Sequence, residues 1–487
     1  MKIVFHKYLL PVLLICYLSI SAQELKLNLT DAVSIALQNN ERIKQYHEKV
    51  EQKEFEDLSA WGNFLPAFNL DVSYTHLNSD MTIDLNSIRD VIINTQSSNQ
   101  AEFTNIYNLL NGKASLSASQ KDAVKVQAAE YLNSVIPAFT ETFKEQNYKT
   151  ATITGVQPLF LGGKLLAAKK YASSEKEASS AEFTKIKDEI ITETIINYAR
   201  VLLLKQVVKT RHDVLDGMNR HKNDAKKLFD EGIIANHHLL RAEVAVAEAE
   251  RNLINDQNNF SLALITLKHT LCIEDKINLD FNDSLAYKTF SDSINTFISG
   301  AIINQPILKI LTEKKIAAEQ NYNIARSGFL PTLAAFAKYE MYPEYLSSLE
   351  PRWAVGLQMK FNIFNGFKDY LKLQSAIHLE NEVGYMQSDT KRKINLWVNK
   401  AFLDVINNKT RYEKLTATVK LATENLRQNE KRFQTGLSTS LEVIDARMSF
   451  ERVQVERFVS LFEYYRSLSD LYLAAGNPID VLKIWSN

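Results

Sequence analysis

The sequence predicts a mixed α and β membrane protein, with four transmembrane β-strands per chain joined to long α-helical coiled coils and the whole plan written twice along 487 residues. Three observations lead there. A pattern of Phe, Gly and Ala recurs at fixed spacing. Proline is absent from 159 to 305 and again from 352 to 477, which permits helices far longer than the usual three turns. Two segments of about ten residues alternate an apolar face with a polar one, as a strand between lipid and water does.

Composition narrows the function classes. Lys+Arg and Asp+Glu both number 57, so the formal net charge is zero. A protein whose main partner is nucleic acid needs a basic face, so no nucleic acid is expected. The two cysteines, Cys16 and Cys272, exclude a disulfide framework and a Cys-rich metal site.

The N-terminus reads as an export signal. Lys2 and Lys7 precede an apolar run over 8–20, and Ser21 and Ala22 follow before Gln23. These are a charged region, an apolar region and a small-residue cleavage site, so residues 1–22 form the expected signal peptide. An N-terminal anchor is the alternative, but the run is shorter than the roughly 20 apolar residues of a spanning helix. No later stretch is apolar enough to span a bilayer as a helix. Any crossing must therefore use strands.

The repeat follows. Asn39 and Lys44 recur as Asn304 and Lys309, 265 residues on, and Phe64-Leu65-Pro66 recurs as Phe329-Leu330-Pro331 at the same offset, as does Tyr74 in Tyr339. Further along, the offset is 204: Phe160, Gly162 and Lys164 match Phe364, Gly366 and Lys368, Phe229 and Gly232 match Phe433 and Gly436, and Ala242 matches Ala446. The copies are read as 23–284 and 285–487, each built as helix, strand pair, very long helix, turn and helix. The first carries an insert over 77–149 between its two strands, with a short helix over 121–135. That insert reads as an enlarged loop or, alternatively, as a lid.

Gly162 to Gly232 and Gly366 to Gly436 both span 70 residues, each a helix of roughly 100 Å. Ile191, Ile195, Tyr198 and Leu202 step by three and four, as do Tyr412, Leu415, Val419, Ala422 and Leu426, which is coiled-coil spacing. Beyond the first turn, Ala242, Ala245 and Ala249 let neighbouring helices approach closely. An ordinary helical bundle shows the same periodicity, so the strands decide. Phe68, Leu70, Val72 and Tyr74 alternate with Asn69, Asp71, Ser73 and Thr75. Trp353, Val355, Leu357, Met359, Phe361 and Ile363 alternate with Ala354, Gly356, Gln358, Lys360 and Asn362. A half-buried strand of a soluble sheet reads the same way. The second strand of the first copy, near 148–159, alternates poorly. Pro66, Pro158 and Pro331 are expected at strand ends, where a missing N–H is tolerated. Four strands cannot close a barrel, and open edges are not allowed in lipid. A homotrimer would supply 12 strands above a ring of helical columns.

In its order of motifs the chain resembles the outer-membrane efflux protein family, the TolC-like channels, from about 24 to 480. The resemblance rests on Leu37 with Asn39-Asn40, Phe64-Leu65-Pro66, Gln157-Pro158-Leu159-Phe160 with Gly162-Gly163, and two turn motifs. The first turn, over 229–242, holds Phe229, Gly232, Leu239-Leu240 and Ala242. The second, over 433–446, holds Phe433, Gly436, Ser440-Leu441 and Val443-Ile444-Asp445-Ala446. The family implies a trimeric 12-stranded β-barrel in the outer membrane, in contact with its lipid and continuous with an α-helical periplasmic tunnel. It implies a periplasmic adaptor (a membrane fusion protein) and an inner-membrane transporter of RND or ABC type, which supplies the energy, so no catalysis and no cofactor are expected.

The resemblance also assigns sites. Gly232 and Gly436 would turn the chain at the tunnel tips, with Phe229, Phe433, Leu437 and Ser438 as adaptor contacts. Glu442 and Asp445, at i and i+3 on one helix face, match the family's mouth carboxylates. Three chains would bring six acids together, raising their pKa values and attracting cations. Favourable placement at a helix N-terminus is the simpler account. In the first tip His237, His238 and Arg241 stand where the family often has other polar partners. Adjacent histidines diverge by about 100° on a helix, so no metal site is expected. Nor does a Walker loop, HExxH, GxSxG or CxxC occur. The expected function is a passive outer-membrane duct exporting small molecules in a tripartite efflux system. The same duct serving type I protein secretion is one alternative; a periplasmic coiled-coil scaffold is another, from a different class.

Overall fold

Where proline is missing, the chain is helical almost throughout. The computed structural model describes residues 24–347 and 350–486, so the export-signal reading of 1–22 lies outside the described residues. In chain order the elements are β1 (Glu24–Leu27), α1 (Leu29–Asn39), α2 (Glu41–Gly62), β2 (Ala67–His76), β3 (Met81–Asp84), α3 (Asn86–Leu110), α4 (Ala118–Val135), β4 (Thr140–Lys144), β5 (Asn147–Leu161), α5 (Lys164–Asp230), α6 (Asn236–Leu271), β6 (Asn278–Phe281), α7 (Ile294–Asn304), α8 (Pro306–Ser327), β7 (Thr332–Glu340), β8 (Trp353–Lys360), α9 (Lys368–Gln434), α10 (Ser440–Ala474) and α11 (Val481–Ser486). Both α5 and α9 have 67 residues, about 100 Å each. The boundaries of α1, α2 and β2 recur in α7, α8 and β7, and those of α5 and α6 in α9 and α10. Among the described residues no helix is long and apolar enough to cross a membrane.

Packing divides the chain into two units that cut across the sequence repeat. The helical unit holds, among the described residues, 24–58, Ala167–Tyr322 and 372–486. Its core joins Ile190, Ile195, Tyr198 and Leu202 of α5 to Leu267 and Leu271 of α6, Val398 and Val405 of α9, and Leu461, Leu468 and Leu471 of α10. All four of the residues that stepped by three and four in the first copy are buried.

Polar groups pin this apolar seam in place. β1 pairs in parallel with β6, a short ladder that the sequence pattern did not announce. The Asp283 carboxylate, just past β6, accepts bonds at one oxygen from the Tyr198 hydroxyl (2.8 Å), the Leu29 amide (3.0 Å) and the Trp485 indole N–H (3.3 Å). Two tyrosines of α10 clamp the following segment: Tyr464 donates to the Lys288 carbonyl (2.9 Å) and Tyr465 to that of Ala286 (2.7 Å). One bond occurs in both copies. Asn40, capping α1, donates to the Thr270 carbonyl at the end of α6 (3.0 Å), and Gln305, capping α7, donates to Leu473 and Ala474 at the end of α10 (2.7 and 3.0 Å).

The sheet unit, Ser59–Leu166 and Asn323–Leu371, holds one four-stranded sheet in the order β2-β5-β7-β8, antiparallel throughout. Directly paired residues share a face. One face carries Phe68, Leu70 and Val72 of β2 opposite Gly155, Ile153 and Ala151, then Tyr339 and Ala337 of β7, then Trp353, Val355, Leu357 and Met359 of β8. The other carries Asn69-Thr154-Lys338, Asp71-Thr152-Glu340 and Ser73-Thr150. The apolar residues of the outer strands, β2 and β8, are exposed.

Four expectations need correction. Pro158 lies inside β5, at a register shift opposite β7 rather than at a strand end; the bulge there removes the need for its N–H. β8 stops at Lys360, so Phe361 and Ile363 fall outside it. The helix expected over 121–135 begins earlier, at Ala118, where Ser117 and Gln120 form a capping box. The insert also holds a second helix, the 25-residue α3, and a β3–β4 ribbon.

Replacing Asp283 with Ala strips an acceptor from the buried Leu29 amide and the half-buried Trp485 indole and leaves the Tyr198 hydroxyl only the Leu27 carbonyl. The expected cost is about 2 kcal/mol or more, read as a lower melting temperature of the helical signal by circular dichroism. Asp283→Asn, which keeps an acceptor oxygen, should lose less; an unchanged melting temperature in the Ala variant would contradict the clamp.

Candidate functional site

The two helix-turn-helix tips lie within the helical unit and are built alike. At the end of α5 the Gly232 amide donates to Phe229 and that of Ile233 to Leu228 (2.9 and 2.8 Å); at the end of α9 Gly436 donates to Phe433 and Leu437 to Arg432 (2.9 and 2.8 Å). Both glycines have positive φ, +73° and +74°, the left-handed conformation that ends a helix and reverses the chain.

The helices that leave the turns differ. Thr439 caps α10: its hydroxyl accepts from the Glu442 amide (3.3 Å), and the Glu442 carboxylate accepts from the Thr439 amide (2.9 Å) and the Ser438 hydroxyl. These bonds, the Ser438 hydroxyl first, hold the Glu442 carboxyl below the usual carboxylate range. Within one chain this is opposite to the rise expected from six clustered acids. Ala235 stands at the start of α6 without a side-chain cap. His238 there has its proton affinity lowered by burial and by the neighbouring His237 and Arg241. The His237 and His238 rings approach at a tilt of 36° with centroids 4.1 Å apart, so the rings do not diverge as expected; both lie in the first turn, where no preceding turn constrains them. Among the described residues no group of three or more His, Cys, Asp or Glu side chains is placed to hold a metal ion.

The tips pack on one another. Phe433, only 3% exposed, joins Ala225, Ala242 and Val443 in a small apolar cluster. Its part in the tip is therefore packing, not the surface contact expected of it. Phe229, Ile233, Leu240, Leu437 (71%) and Leu441 are exposed apolar side chains of the turns, and Glu442, Asp445 and Arg241 are exposed as well. His221 of α5 packs at a tilt against Phe433 (4.6 Å between centroids) and meets the Ser440 hydroxyl at 2.8 Å. That hydroxyl donates in turn to the His238 carbonyl (3.3 Å), linking α5, α6 and α10. Burial, with the charge of Arg447, pulls the His221 pKa down to about 4.

Deeper in, Arg447 is buried and ion-paired with Glu430. It lies against Gly217, where a Cβ would come within 1.7 Å of its guanidinium. Arg211 spans Asp256 of α6 (2.7 Å) and Glu451 of α10. Sequence reading missed these groups. One signal was available: Gly217 sits mid-helix at a cost of about 1 kcal/mol against Ala, which marks a close approach.

A histidine whose pKa is depressed on folding stabilises the fold fully above its unfolded value of about 6.5, and that contribution is lost as pH falls toward the folded value of about 4. The tips should thus loosen between pH 6.5 and 4, by up to about 3 kcal/mol. Hydrogen-exchange protection factors at 221–225 and 438–443, taken against the intrinsic rate at each pH, should fall as pH drops over that range, and His221→Asn should flatten the dependence; equal slopes in both proteins would contradict it.

The comparisons with known proteins agree with this geometry. The outer membrane efflux protein family model matches residues 32–271 and 297–477. Among solved structures, the outer membrane protein VceC from Vibrio cholerae shares 17% identity at a TM-score of 0.68, over 92% of this chain and 96% of that one. The Campylobacter jejuni outer membrane channel CmeC shares 16% identity at 0.71, over 92% and 85%. The open-state outer membrane channel MtrE of Neisseria gonorrhoeae shares 14% at 0.67, over 93% and 89%. Such identities establish the fold alone. No curated protein matches by sequence. With the family model covering most of its length, the chain belongs to the outer membrane efflux protein family, and is an outer-membrane channel protein rather than an enzyme.

Proposed function

We propose that the chain forms a homotrimeric passive duct in the outer membrane, exporting small molecules delivered by an inner-membrane transporter through a periplasmic adaptor. The observation that carries this reading is the sheet: four strands, one apolar and exposed face, an opposite face that is polar except for the row of Ala67, Val156, Phe336 and Gly356 and for Pro158 and Ala334, and two edge strands without a partner strand among the described residues. Three copies closing β8 on β2 would make a 12-stranded barrel with lipid outside and water inside. The long helices would continue it as a periplasmic tunnel, with the tips as its inner mouth. The repeated element boundaries and the matched Asn40 and Gln305 bonds support an internal duplication, 23–284 and 285–487.

In this reading Phe229, Ile233, Leu437 and Ser438 meet the adaptor. Asp445 supplies the acidic constriction at the mouth. Glu442 shares that face but is already engaged in its cap, so it adds charge without freedom to move. In this reading lipid, not another chain, covers the exposed apolar strand surface, and the neighbouring copies cover only the strand edges.

Detergent-purified protein should have three times the chain mass and image as a tube well over 100 Å long, on the helix arithmetic; a compact monomer would sink the proposal. In planar bilayers the wild-type pore should prefer cations, and Asp445→Asn should shift the reversal potential in a salt gradient toward zero. A reversal potential unmoved by that change would remove Asp445 from the constriction while leaving the duct.

A further inference from the structure

The insert between β2 and β5 is a built extension of the hairpin. Beyond the last β2–β5 pair, His76 with Asn147, the Leu77 amide donates to Gln146 (2.7 Å). The ribbon of β3 and β4 then runs from Met81–Lys144 to Asp84–Thr140, and the Leu85 amide closes it on Phe139 (2.8 Å). Arg89, at the base of α3, donates to the carbonyls of Asn133, Ile136 and Pro137 at 2.9–3.1 Å, capping the end of α4. At the far end Asn105 accepts from the Leu116 amide (2.8 Å) and Lys121 pairs with Glu102 (2.9 Å).

This rigid hairpin is packed the wrong way round for an isolated one. α3 turns Ile93, Ser97, Ala101 and Asn105 inward, and α4 buries nothing. The large apolar residues of α3 point out: Ile88, Ile92, Phe103 (67% exposed), Ile106 and Leu110 (81%). They fall at helical spacing on the side opposite the small-residue seam. Two of the three charged residues of α3, Arg89 and Glu102, are already used inside the insert. The outward face therefore offers no set of charges for a polar ligand; exposed Thr95, Gln96 and Asn99 split it into a small apolar patch at Ile88 and Ile92 and a larger one at Phe103, Ile106 and Leu110, and the larger patch marks a contact surface.

We propose that this face packs against the same hairpin of neighbouring copies of the chain, forming a collar beyond the end of the sheet. The inference rests on the trimeric reading above. The occupant follows from continuity: β2 is an edge of the sheet, and the insert's ribbon runs on directly from it. Any copy that closes on that edge carries its own α3–α4 hairpin to the same level, at equal height and with the same apolar face. A second copy thus matches the face in chemistry and in position.

The test uses the full-length chain in a Cys272→Ser background, because Cys272 is exposed. Phe103→Cys and Leu110→Cys are introduced singly, isolated outer membranes are treated with a short bis-maleimide, and the chains are run on a denaturing gel. At least one variant should convert most of its chains to covalent dimers, and the Cys272→Ser parent should convert none. Native mass of the same sample separates the two failures. A trimeric mass without cross-linking at either position overturns the collar and leaves the duct; a monomeric mass overturns both. Quenching of a fluorophore at position 103 by bilayer-confined nitroxides would place the face on lipid and also overturn it.

Discussion

Both outer strands of the sheet, β2 and β8, present a row of backbone N–H and C=O groups with no partner strand among the described residues of the same chain. In water such an edge is a nuisance; in hydrocarbon each unpaired group costs several kcal/mol. The face that runs through Phe68, Leu70, Val72, Trp353, Val355, Leu357 and Met359 is equally unsuited to water. One constraint follows from the two together. The surface that needs lipid belongs to a sheet that lipid cannot accept until its edges are closed. Closing them demands strands from elsewhere, and in the trimeric reading proposed above a second copy of the chain supplies them. Assembly is then a condition of residence in the membrane, not a later refinement of it.

The helical unit faces a different problem. Two 67-residue helices with coiled-coil spacing can slide by a heptad with little loss of apolar contact, because the pattern repeats. Buried polar groups remove that freedom, since each has a partner in only one register. Asn197 with Thr270 (2.9 Å) joins α5 to α6, Arg211 joins α5 to α6 and α10 through Asp256 and Glu451, and Arg447 with Glu430 joins α10 to α9, so each long helix is tied to its neighbours at a fixed height. The Asp283 clamp and the tyrosines of α10 fix the connecting segments around them. Apolar burial supplies the adhesion here, and the sparse polar contacts choose the alignment.

That division explains what could be read from the sequence. Element order, the two long helices and the tip glycines were legible, because each depends on local chemistry: missing proline, glycine at positive φ, alternation of faces. The alternation in β2 gave the apolar face of the sheet before any register was known. β5 was hard to read because Ala151, Gly155 and Gln157 share the face of Ile153; its partners, not its own side chains, make that face apolar. Long-range partners left no local trace. Nothing near Asp283 announces Tyr198, 85 residues away, and nothing near Phe433 announces that Ala225 and Ala242 will cover it. α3 escaped notice because its middle, Thr95 to Gln100, is wholly polar and interrupts the apolar period.

The two tips, alike in backbone, are unequal in what holds them. At the offset of 204, Thr439, Glu442 and Asp445 stand where the first tip has Ala235, His238 and Arg241. The second tip therefore has a complete capping box and acids at a helix N-terminus, both favourable. The first has no side-chain cap and places basic groups at the same dipole end, which is unfavourable. Its order comes from outside: Val443 and Phe433 cover its apolar residues, and the Ser440 hydroxyl satisfies the His238 carbonyl. Any event that pulls the second tip away, with the end of α9 and the start of α10, would deprive the first tip of all three supports at once, whereas the second would keep its own cap. Stability at the tips thus has a direction, with the second turn acting as the frame and the first as the part that depends on it.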